Sequence, residues 1–175
     1  MNLSDNKATL SFSDGSPSVE MPVYSGSVGP DVIDIRKLYG QTGMFTYDPG
    51  FLSTAACQST ITYIDGDKGE LLYRGYPIEQ LAKDSTYLEV SYLLLKGELP
   101  DASQYEQWQH DITTHTYTHE NFRRRFVDSF QFNAHPMGML MASIAALGTF
   151  YPEAKDIENP ANRMMQTTRL IAKLP

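Results

Sequence analysis

The stretch Ile61–Ala82, ITYIDGDKGELLYRGYPIEQLA, decides the fold, because it joins a short β-hairpin to a helix start through a Gly-Tyr-Pro turn. Its two arms, Ile61–Ile64 and Leu71–Arg74, carry β-branched and aromatic residues on either side of a segment rich in Asp and Gly. Pro77 suits the first turn of a helix, and apolar residues then follow at helical spacing. The stretch therefore predicts a hairpin followed directly by a helix.

The acidic residues of the hairpin turn raise the question of a calcium loop. An EF-hand loop needs an oxygen ligand at its fifth position, Gly at its sixth and Glu at its twelfth. A loop that starts at Asp65 has Gly69, Glu70 and Tyr76 at those positions. The pattern therefore argues against calcium.

Outward from the hairpin, the two halves of the chain differ in the residues that start and end their secondary-structure elements. Gly, Pro, Ser and Asp dominate the first fifty residues, whereas helix caps dominate the sequence after Pro77, with Asp84 or Ser85 before one helix and Gly97 behind it. The predicted strands cover residues 8–12, 19–24, 32–35 and 44–47. The predicted helices cover residues 87–96, 100 to about 119, 122–130, 137–151 and 160–174. The expected fold is mainly α, with a small antiparallel β-rich region at residues 1–75 and a helical region at residues 76–175.

Composition narrows the class of protein. The 175 residues are 41% apolar and carry a net charge of −7, which argues against sequence-independent binding to nucleic acid or to an anionic membrane surface. Cys57 is the single cysteine, so no intrachain disulfide can form, and a buried structural thiol is favoured over a reactive one. The first twenty residues lack the apolar core of a signal peptide, and we expect a cytoplasmic protein.

The apolar segment at residues 137–151 is too short for a bilayer, which needs about twenty residues. It is expected to form a helix that is buried on nearly all sides. The last predicted helix reaches the end of the chain with no further element to cover its apolar side. This favours a chain cut from a longer protein, with a natural end as the alternative.

Candidate sites for metal ions and nucleophiles are weak. Asp111, His115 and His119 are spaced to share one helix face, but a solvated or interface face is favoured over a metal site because no HExxH order or nearby cysteine accompanies them. The motifs GxSxG, Walker A and GxGxxG are absent from the sequence. No metal site and no catalytic nucleophile is therefore predicted.

One basic pair stands out in this acidic chain. Arg169 and Lys173 are four residues apart, so both side chains project from one helix face, as in a phosphate clamp. On spacing alone, a solvated helix end with cations near the negative end of the helix dipole is the favoured alternative.

Several segments resemble the citrate synthase family. The stretch IDGDKGELLYRGYPIEQLA resembles its N-terminal signature, as do DVIDIRKLYGQTGMFTYDPGFLSTAACQSTITYIDG, YLEVSYLLLKGELP and HPMGMLMASIAALGTFY. The resemblance runs from about Leu10 to Pro175 and implies the N-terminal portion of the enzyme, with part of its large helical domain. The β-rich region is similar to that of the bacterial type II enzymes, which are NADH-inhibited hexamers built as trimers of dimers.

The resemblance implies a reaction in which acetyl-CoA and oxaloacetate condense to citrate and CoA, in the tricarboxylic acid cycle. Such a reaction needs a base for a carbon acid, a donor for the enol and cations for a dicarboxylate. The family's catalytic aspartate, histidines and arginines match no position of this sequence, and His135 in His-Pro-Met matches a structural position. We therefore expect no catalytic residues here and no activity from these 175 residues alone.

The resemblance also implies an allosteric NADH site and no required cofactor. The matching positions are His115, Thr116, Tyr151, Arg169 and Lys173. Tyr151 is expected to meet the adenine or ribose, while Arg169 and Lys173 neutralise phosphates. The family pattern has an arginine before the His-Thr pair where this chain has Thr114, which is expected to weaken nucleotide binding or alter inhibition.

Two other functions stay open at the level of sequence. One is a standalone helical module that senses nucleotides or binds a partner, which a stop codon directly after Pro175 would support. The other is a 2-methylcitrate synthase that acts on propionyl-CoA, which the type II-like β-rich region disfavours.

Overall fold

The computed structural model describes residues 2–175, with side chains from residue 6 onward. The chain forms two compact units, residues 1–99 and residues 100–175. The predicted division between residues 75 and 76 rests on a change of secondary structure rather than on compactness, and it stays a prediction.

The first unit contains two small antiparallel sheets, each built from three strands in chain order. The strands of the first sheet are β1 Asn2–Leu10, β2 Val19–Ser25 and β3 Val32–Ile33. The strands of the second sheet are β4 Thr62–Asp65, β5 Glu70–Tyr73 and β6 Tyr76–Pro77. The helices of this unit are α1 Leu38–Thr42, α2 Ile78–Asp84 and α3 Tyr87–Lys96.

Alternating apolar residues of β2 build the core beneath the first sheet. Val19 and Met21 point to the same face of β2 and are buried together with Leu38 of α1. Phe12 and Ile35 pack against this cluster from the loops on either side. The first sheet of the predicted β-rich region thus has one covered face.

The hairpin predicted from Ile61–Ala82 is confirmed. Thr62 pairs with Tyr73 and Asp65 with Glu70, and Asp65 accepts hydrogen bonds from the backbone N of Lys68 at 3.1 Å and from its Nζ at 3.0 Å. The Asp65 carboxylate therefore braces the turn. Pro77 has extended backbone angles and caps α2, so the helix starts one residue later than predicted.

The strand predicted at residues 44–47 is wrong. Gly43, with a φ of 71°, ends α1 and turns the chain, and the Phe45 ring then stacks on Tyr39 with 4.3 Å between ring centroids. The chain after Gly43 therefore folds back onto α1 instead of pairing with a neighbouring strand, and a strand needs such a partner.

Helix α3 has the predicted extent, but its cap is Thr86 rather than Asp84 or Ser85. Thr86 is the residue three positions before Glu89, and the two form a reciprocal capping box. Gly97, with a φ of 101°, ends the helix as predicted. A mainly α chain with small antiparallel sheets is the observed fold class.

The second unit is helical. Its helices are α4 Ala102–Thr114, α5 Glu120–Arg125, α6 Pro136–Gly148 and α7 Pro160–Lys173. Short 3₁₀ turns at Val127–Ser129 and Pro152–Lys155 follow α5 and α6. Helices α4 and α7 pack against each other, with Trp108 and Ile112 buried on α4 and Thr168 and Ala172 buried on α7.

Helix α4 ends five residues before the predicted end. Thr113 and Thr114 are β-branched, and the Thr114 hydroxyl donates to the carbonyls of His110 (2.9 Å) and Asp111 (3.2 Å), which competes with helix continuation. His119 instead caps α5, with its Nδ1 accepting from the backbone N of Asn121 at 3.1 Å. Asp111, His115 and His119 therefore do not share one helix face.

Two expectations of burial are wrong. Helix α6 has no fully buried residue, and Met141 is 70% exposed, so the helix is not enclosed on all sides. Cys57 is exposed as well, since it lies in a segment without regular secondary structure. None of the helices in residues 2–175 is both long enough and apolar enough to cross a bilayer.

Candidate functional site

The candidate site is built on α7, whose position follows from its cap and its buried face. Asn159 caps the helix by accepting from the backbone N of Ala161 at 3.0 Å and of Asn162 at 3.3 Å. Thr168 and Ala172, four residues apart, turn one face toward α4. Arg169 and Lys173 each follow a buried residue, so they project beside that contact toward the end of α4 and the segment after α6.

Arg169 stacks on Tyr151, which lies directly before the 3₁₀ turn Pro152–Lys155. The guanidinium carbon lies 4.3 Å from the ring centroid, and the Lys173 Nζ lies 5.8 Å from it. Both distances are within the range of cation–π attraction. The ring therefore gathers both cations of the predicted pair.

Glu153 completes the contacts of Arg169. Its Oε1 lies 2.5 Å from Arg169 Nη1, and this hydrogen bond holds the pKa of the Glu153 carboxyl below its usual range. The Arg169 side chain is 21% exposed and that of Glu153 is 49% exposed. The guanidinium is thus largely enclosed between an aromatic ring and a carboxylate.

The turn that carries Tyr151 and Glu153 is tied to α7. Asn162 donates from Nδ2 to the backbone carbonyls of Glu153 and Asp156, both at 2.6 Å. Arg163 donates to the carbonyl of Ile157 at 2.7 Å. These bonds fix the backbone around Glu153 while leaving its side chain half exposed.

Lys173 holds the segment that follows α4. Its Nζ donates to the backbone carbonyl of His115 and to that of Tyr117, the latter at 2.5 Å. Two of the three ammonium hydrogens are therefore used within the protein, and one remains for another acceptor. The alkyl chain of Lys173 also lines an apolar cavity of about 320 Å³ between α5, α6 and α7.

The imidazole of His115 is bound to the end of α4 through Nδ1. Its Nδ1 lies 2.7 Å from the carbonyl oxygen of Asp111, and because a carbonyl only accepts, Nδ1 carries the hydrogen. In the neutral ring, Nε2 is then an acceptor. Thr116 follows it, and its hydroxyl donates to the carbonyl of Thr113 at 2.9 Å, which commits that group to the end of α4.

The structure thus brings together four of the five residues that the resemblance implies. Arg169 and Lys173 both approach the Tyr151 ring, and Lys173 also binds the backbone carbonyl of His115, whereas the Thr116 hydroxyl donates to Thr113. Glu153 and the Tyr117 carbonyl were missed, and no spacing rule would have found them, because Glu153 meets an arginine sixteen residues away. The one available signal was an acidic side chain two residues after Tyr151.

The cluster suits an anionic ligand that also has an aromatic or sugar part. Arg169 and Lys173 carry two positive charges and Glu153 carries one negative charge, which leaves a net charge of +1 in a chain of net charge −7. Tyr151 adds a ring face and a hydroxyl. A phosphate donor set beside an aromatic ring is the arrangement that nucleotide binding needs.

Other polar groupings carry no comparable site. Within the part of the chain with described side chains, no three His, Cys, Asp or Glu residues lie close enough to hold a metal ion. A cavity in the first unit is lined in part by Cys57, Asp34 and Asp48. Asp34 is paired with Arg36 at 2.6 Å, and Asp48 accepts from Leu52, Ser53 and Thr54, so both carboxylates already serve the loop around them.

Comparisons with known proteins give a family and a fold. A family model described as "Citrate synthase, C-terminal domain" matches residues 50–175, which is more than two thirds of the chain. The chain is also similar to the citrate synthase of Pyrobaculum aerophilum, with 27% identity, a TM-score of 0.57, and coverage of 86% of this chain and 35% of that one.

Two further citrate synthases share the fold. That of Thermotoga maritima is 24% identical with a TM-score of 0.60, covering 73% of this chain and 32% of that one. That of the thermophilic archaeon Thermoplasma acidophilum, solved as a ternary complex with carboxymethyl coenzyme A and oxaloacetate, is 22% identical with a TM-score of 0.59, covering 69% and 31%. The chain therefore spans about a third of the length of these structures.

Proposed function

The chain belongs to the citrate synthase family, and on that premise we propose that it is part of an enzyme that condenses acetyl-CoA with oxaloacetate to citrate and CoA. The family match over residues 50–175 is the observation that carries this proposal. The ternary complex of the Thermoplasma enzyme with a CoA derivative and oxaloacetate supports the same pair of substrates. The enzyme would be an acyltransferase of the tricarboxylic acid cycle.

These 175 residues contribute no catalytic group in this proposal. His119 and His135 cap helices through Nδ1, accepting from the backbone N of Asn121 and of Met137. His115 donates to the carbonyl of Asp111. Three of the four histidines thus hold the backbone at helix ends. This agrees with the proposal that the acid–base groups of the reaction belong to family motifs that match no position of this sequence.

The same enzyme would be regulated by NADH, bound at the cluster on α7. The stack of Arg169 on Tyr151 supports this, because it presents a guanidinium and an aromatic face to one ligand. Arg169 and the remaining hydrogen of Lys173 would hold the pyrophosphate, Tyr151 the adenine or ribose, and His115 Nε2 would accept from a ribose hydroxyl. Thr116 would serve the site through its position next to His115, since its hydroxyl and its backbone N both donate to the carbonyl of Thr113.

Thr114 would make this site weaker than one with the family's arginine. Its side chain is uncharged, and its hydroxyl already donates to the carbonyls of His110 and Asp111, so it offers a phosphate neither a charge nor a free donor. The enzyme would accordingly need a higher NADH concentration for inhibition. A type II assembly, a cytoplasmic hexamer built as a trimer of dimers, completes the proposal.

The test uses the 175-residue chain with two readouts. In a thiol-release assay with acetyl-CoA and oxaloacetate, we expect no rate above buffer. In calorimetric titration with NADH, we expect binding that the double variant Arg169→Ala/Lys173→Ala weakens about tenfold or more, because two charge-assisted contacts are lost. Thiol release by the chain, or equal NADH binding by both proteins, would contradict the proposal.

A matched control separates the site from the general loss of charge. Arg123→Ala/Arg125→Ala also removes two cations, from exposed positions of α5. We expect this variant to bind NADH within about twofold of the wild type, since exposed charges are screened by salt. A loss as large as that of the Arg169 and Lys173 variant would point to net charge rather than to a site.

A further inference from the structure

The carboxylate of Glu153 is already bound to the guanidinium of Arg169, which a ligand phosphate would need. Its Oε1 lies 2.5 Å from Arg169 Nη1, on a guanidinium whose face is covered by the Tyr151 ring. Arg169 is only 21% exposed, so few directions of approach to it remain. An anion that reaches Arg169 must replace the carboxylate or lie beside it.

We propose that Glu153 is a resident competitor of the phosphate groups of the ligand and thereby sets the anionic charge that a ligand must carry to bind at Arg169. This inference rests on the proposed nucleotide site. A ligand without phosphate gains nothing from displacing Glu153, whereas a pyrophosphate offers two negatively charged groups in its place. Glu153 thus favours ligands with more negative charge, while the Tyr151 ring can stack on any aromatic or sugar ring of a ligand.

Displacement of the Glu153 side chain requires little rearrangement. Its backbone carbonyl is held by Asn162 Nδ2 at 2.6 Å, so the turn keeps its place when the side chain moves. The side chain is 49% exposed, and a carboxylate that leaves Arg169 is taken up by water. Only the Glu153 side chain therefore needs to move when an anion takes its place, while the backbone of the turn stays where it is.

Lys173 cannot replace Arg169 in this exchange. Two of its hydrogens are held by the carbonyls of His115 and Tyr117. A phosphate can therefore receive one hydrogen bond from Lys173, and the guanidinium of Arg169 is the other cationic donor of the cluster. If the phosphate lies beside Glu153 instead of replacing it, the two anions repel each other, so Glu153 opposes binding in either arrangement.

The test compares Glu153→Gln with the wild type in the full 175-residue chain. The variant keeps the shape of the side chain and removes its charge, which raises the net charge of the cluster. We expect inorganic pyrophosphate and NADH to bind about three- to tenfold tighter to the variant, as measured by calorimetry. Adenosine, which has no phosphate, is expected to bind equally to both proteins.

The control removes the same charge from the same connection between α6 and α7. Glu158 is exposed and accepts from Arg163 only through its backbone carbonyl. We expect Glu158→Gln to change pyrophosphate affinity by less than about twofold. Glu153→Asp, which shortens the side chain but keeps the charge, is expected to fall between wild type and Glu153→Gln.

The outcomes separate this inference from the proposed function. Tighter pyrophosphate binding to Glu153→Gln, with no NADH binding to either protein, would support the competitor and reject the NADH site. Unchanged or weaker pyrophosphate binding to Glu153→Gln would overturn the competitor, even if NADH binds and depends on Arg169 and Lys173. An equal gain from Glu158→Gln would also overturn it, because net charge would then explain the effect.

Discussion

Single residues hold the loops of the first unit by pairing charge with backbone donors. Arg36 binds the Asp34 carboxylate through Nε and Nη2, at distances of 2.6 to 3.1 Å, and the backbone N of Arg36 donates to the same group at 3.1 Å. These hydrogen bonds favour the ionised carboxylate and lower the pKa of Asp34 to about 2. Asp34 follows β3, so the pair fixes the chain as it leaves the first sheet.

This pair predicts an acid-sensitive contribution to stability. Because the folded-state pKa of Asp34 lies below the value in the unfolded chain, the stabilisation is present above about pH 4 and is lost as the pH falls toward 2. Calorimetry should show a lower melting temperature for Asp34→Asn at pH 6 and a smaller difference from wild type at pH 2.5.

The control for that experiment is Asp31→Asn, an exposed position in the preceding turn. It should change the melting temperature less than Asp34→Asn at pH 6. A difference between Asp34→Asn and wild type that stays constant from pH 6 to pH 2.5 would show that the Arg36 pair does not contribute. High salt should reduce the effect as well, since the Arg36 side chain is 78% exposed.

At the scale of elements, α7 depends on its first residue. The Asn159 side chain accepts from two of the backbone N–H groups that a helix start leaves without partners. We expect Asn159→Ala to lower the free energy of unfolding of the second unit by about 1 kcal/mol. Fluorescence of Trp108, the single tryptophan, reports this unit during urea denaturation.

Asn159→Asp is the matching variant, because its carboxylate keeps the acceptor and adds a favourable charge near the helix N-terminus. Its unfolding midpoint should equal or exceed that of the wild type. Equal midpoints for the Ala and Asp variants would mean that Pro160 and the packing of α7 on α4 start the helix without the cap.

Elements were predictable from sequence where their signals are local. Asn159-Pro160 and the hairpin around Gly66 are local patterns, and both appear where they were predicted. The strand at residues 44–47 failed because a strand needs a partner, which no local pattern supplies. Within the site, helical spacing placed Arg169 and Lys173 on one helix face but favoured a solvated helix end, and only the resemblance to citrate synthases gave the pair a nucleotide role. The bond from Lys173 to His115 joins residues 58 positions apart, which no local pattern predicts.

At the scale of the molecule, individual helices differ in how completely their apolar residues are covered. Leu81 and Leu93, on α2 and α3, are almost completely buried, with exposed fractions of 2% and 0%. On α6, by contrast, Met137, Met141 and Ile144 repeat at helical spacing and are 55%, 70% and 40% exposed. This stripe leaves contiguous apolar surface in water, which is unfavourable.

The stripe predicts self-association of the 175-residue chain through α6. Size-exclusion chromatography with light scattering should give a mass above 19.7 kDa that rises with concentration. Met137→Lys/Met141→Lys should return the mass toward that of a monomer, because two cations replace the centre of the apolar surface. Phe132→Lys is the control, since Phe132 is fully exposed in the loop before α6 and lies outside the stripe. A monomer at every concentration, or an equal effect of Phe132→Lys, would show that α6 does not drive association.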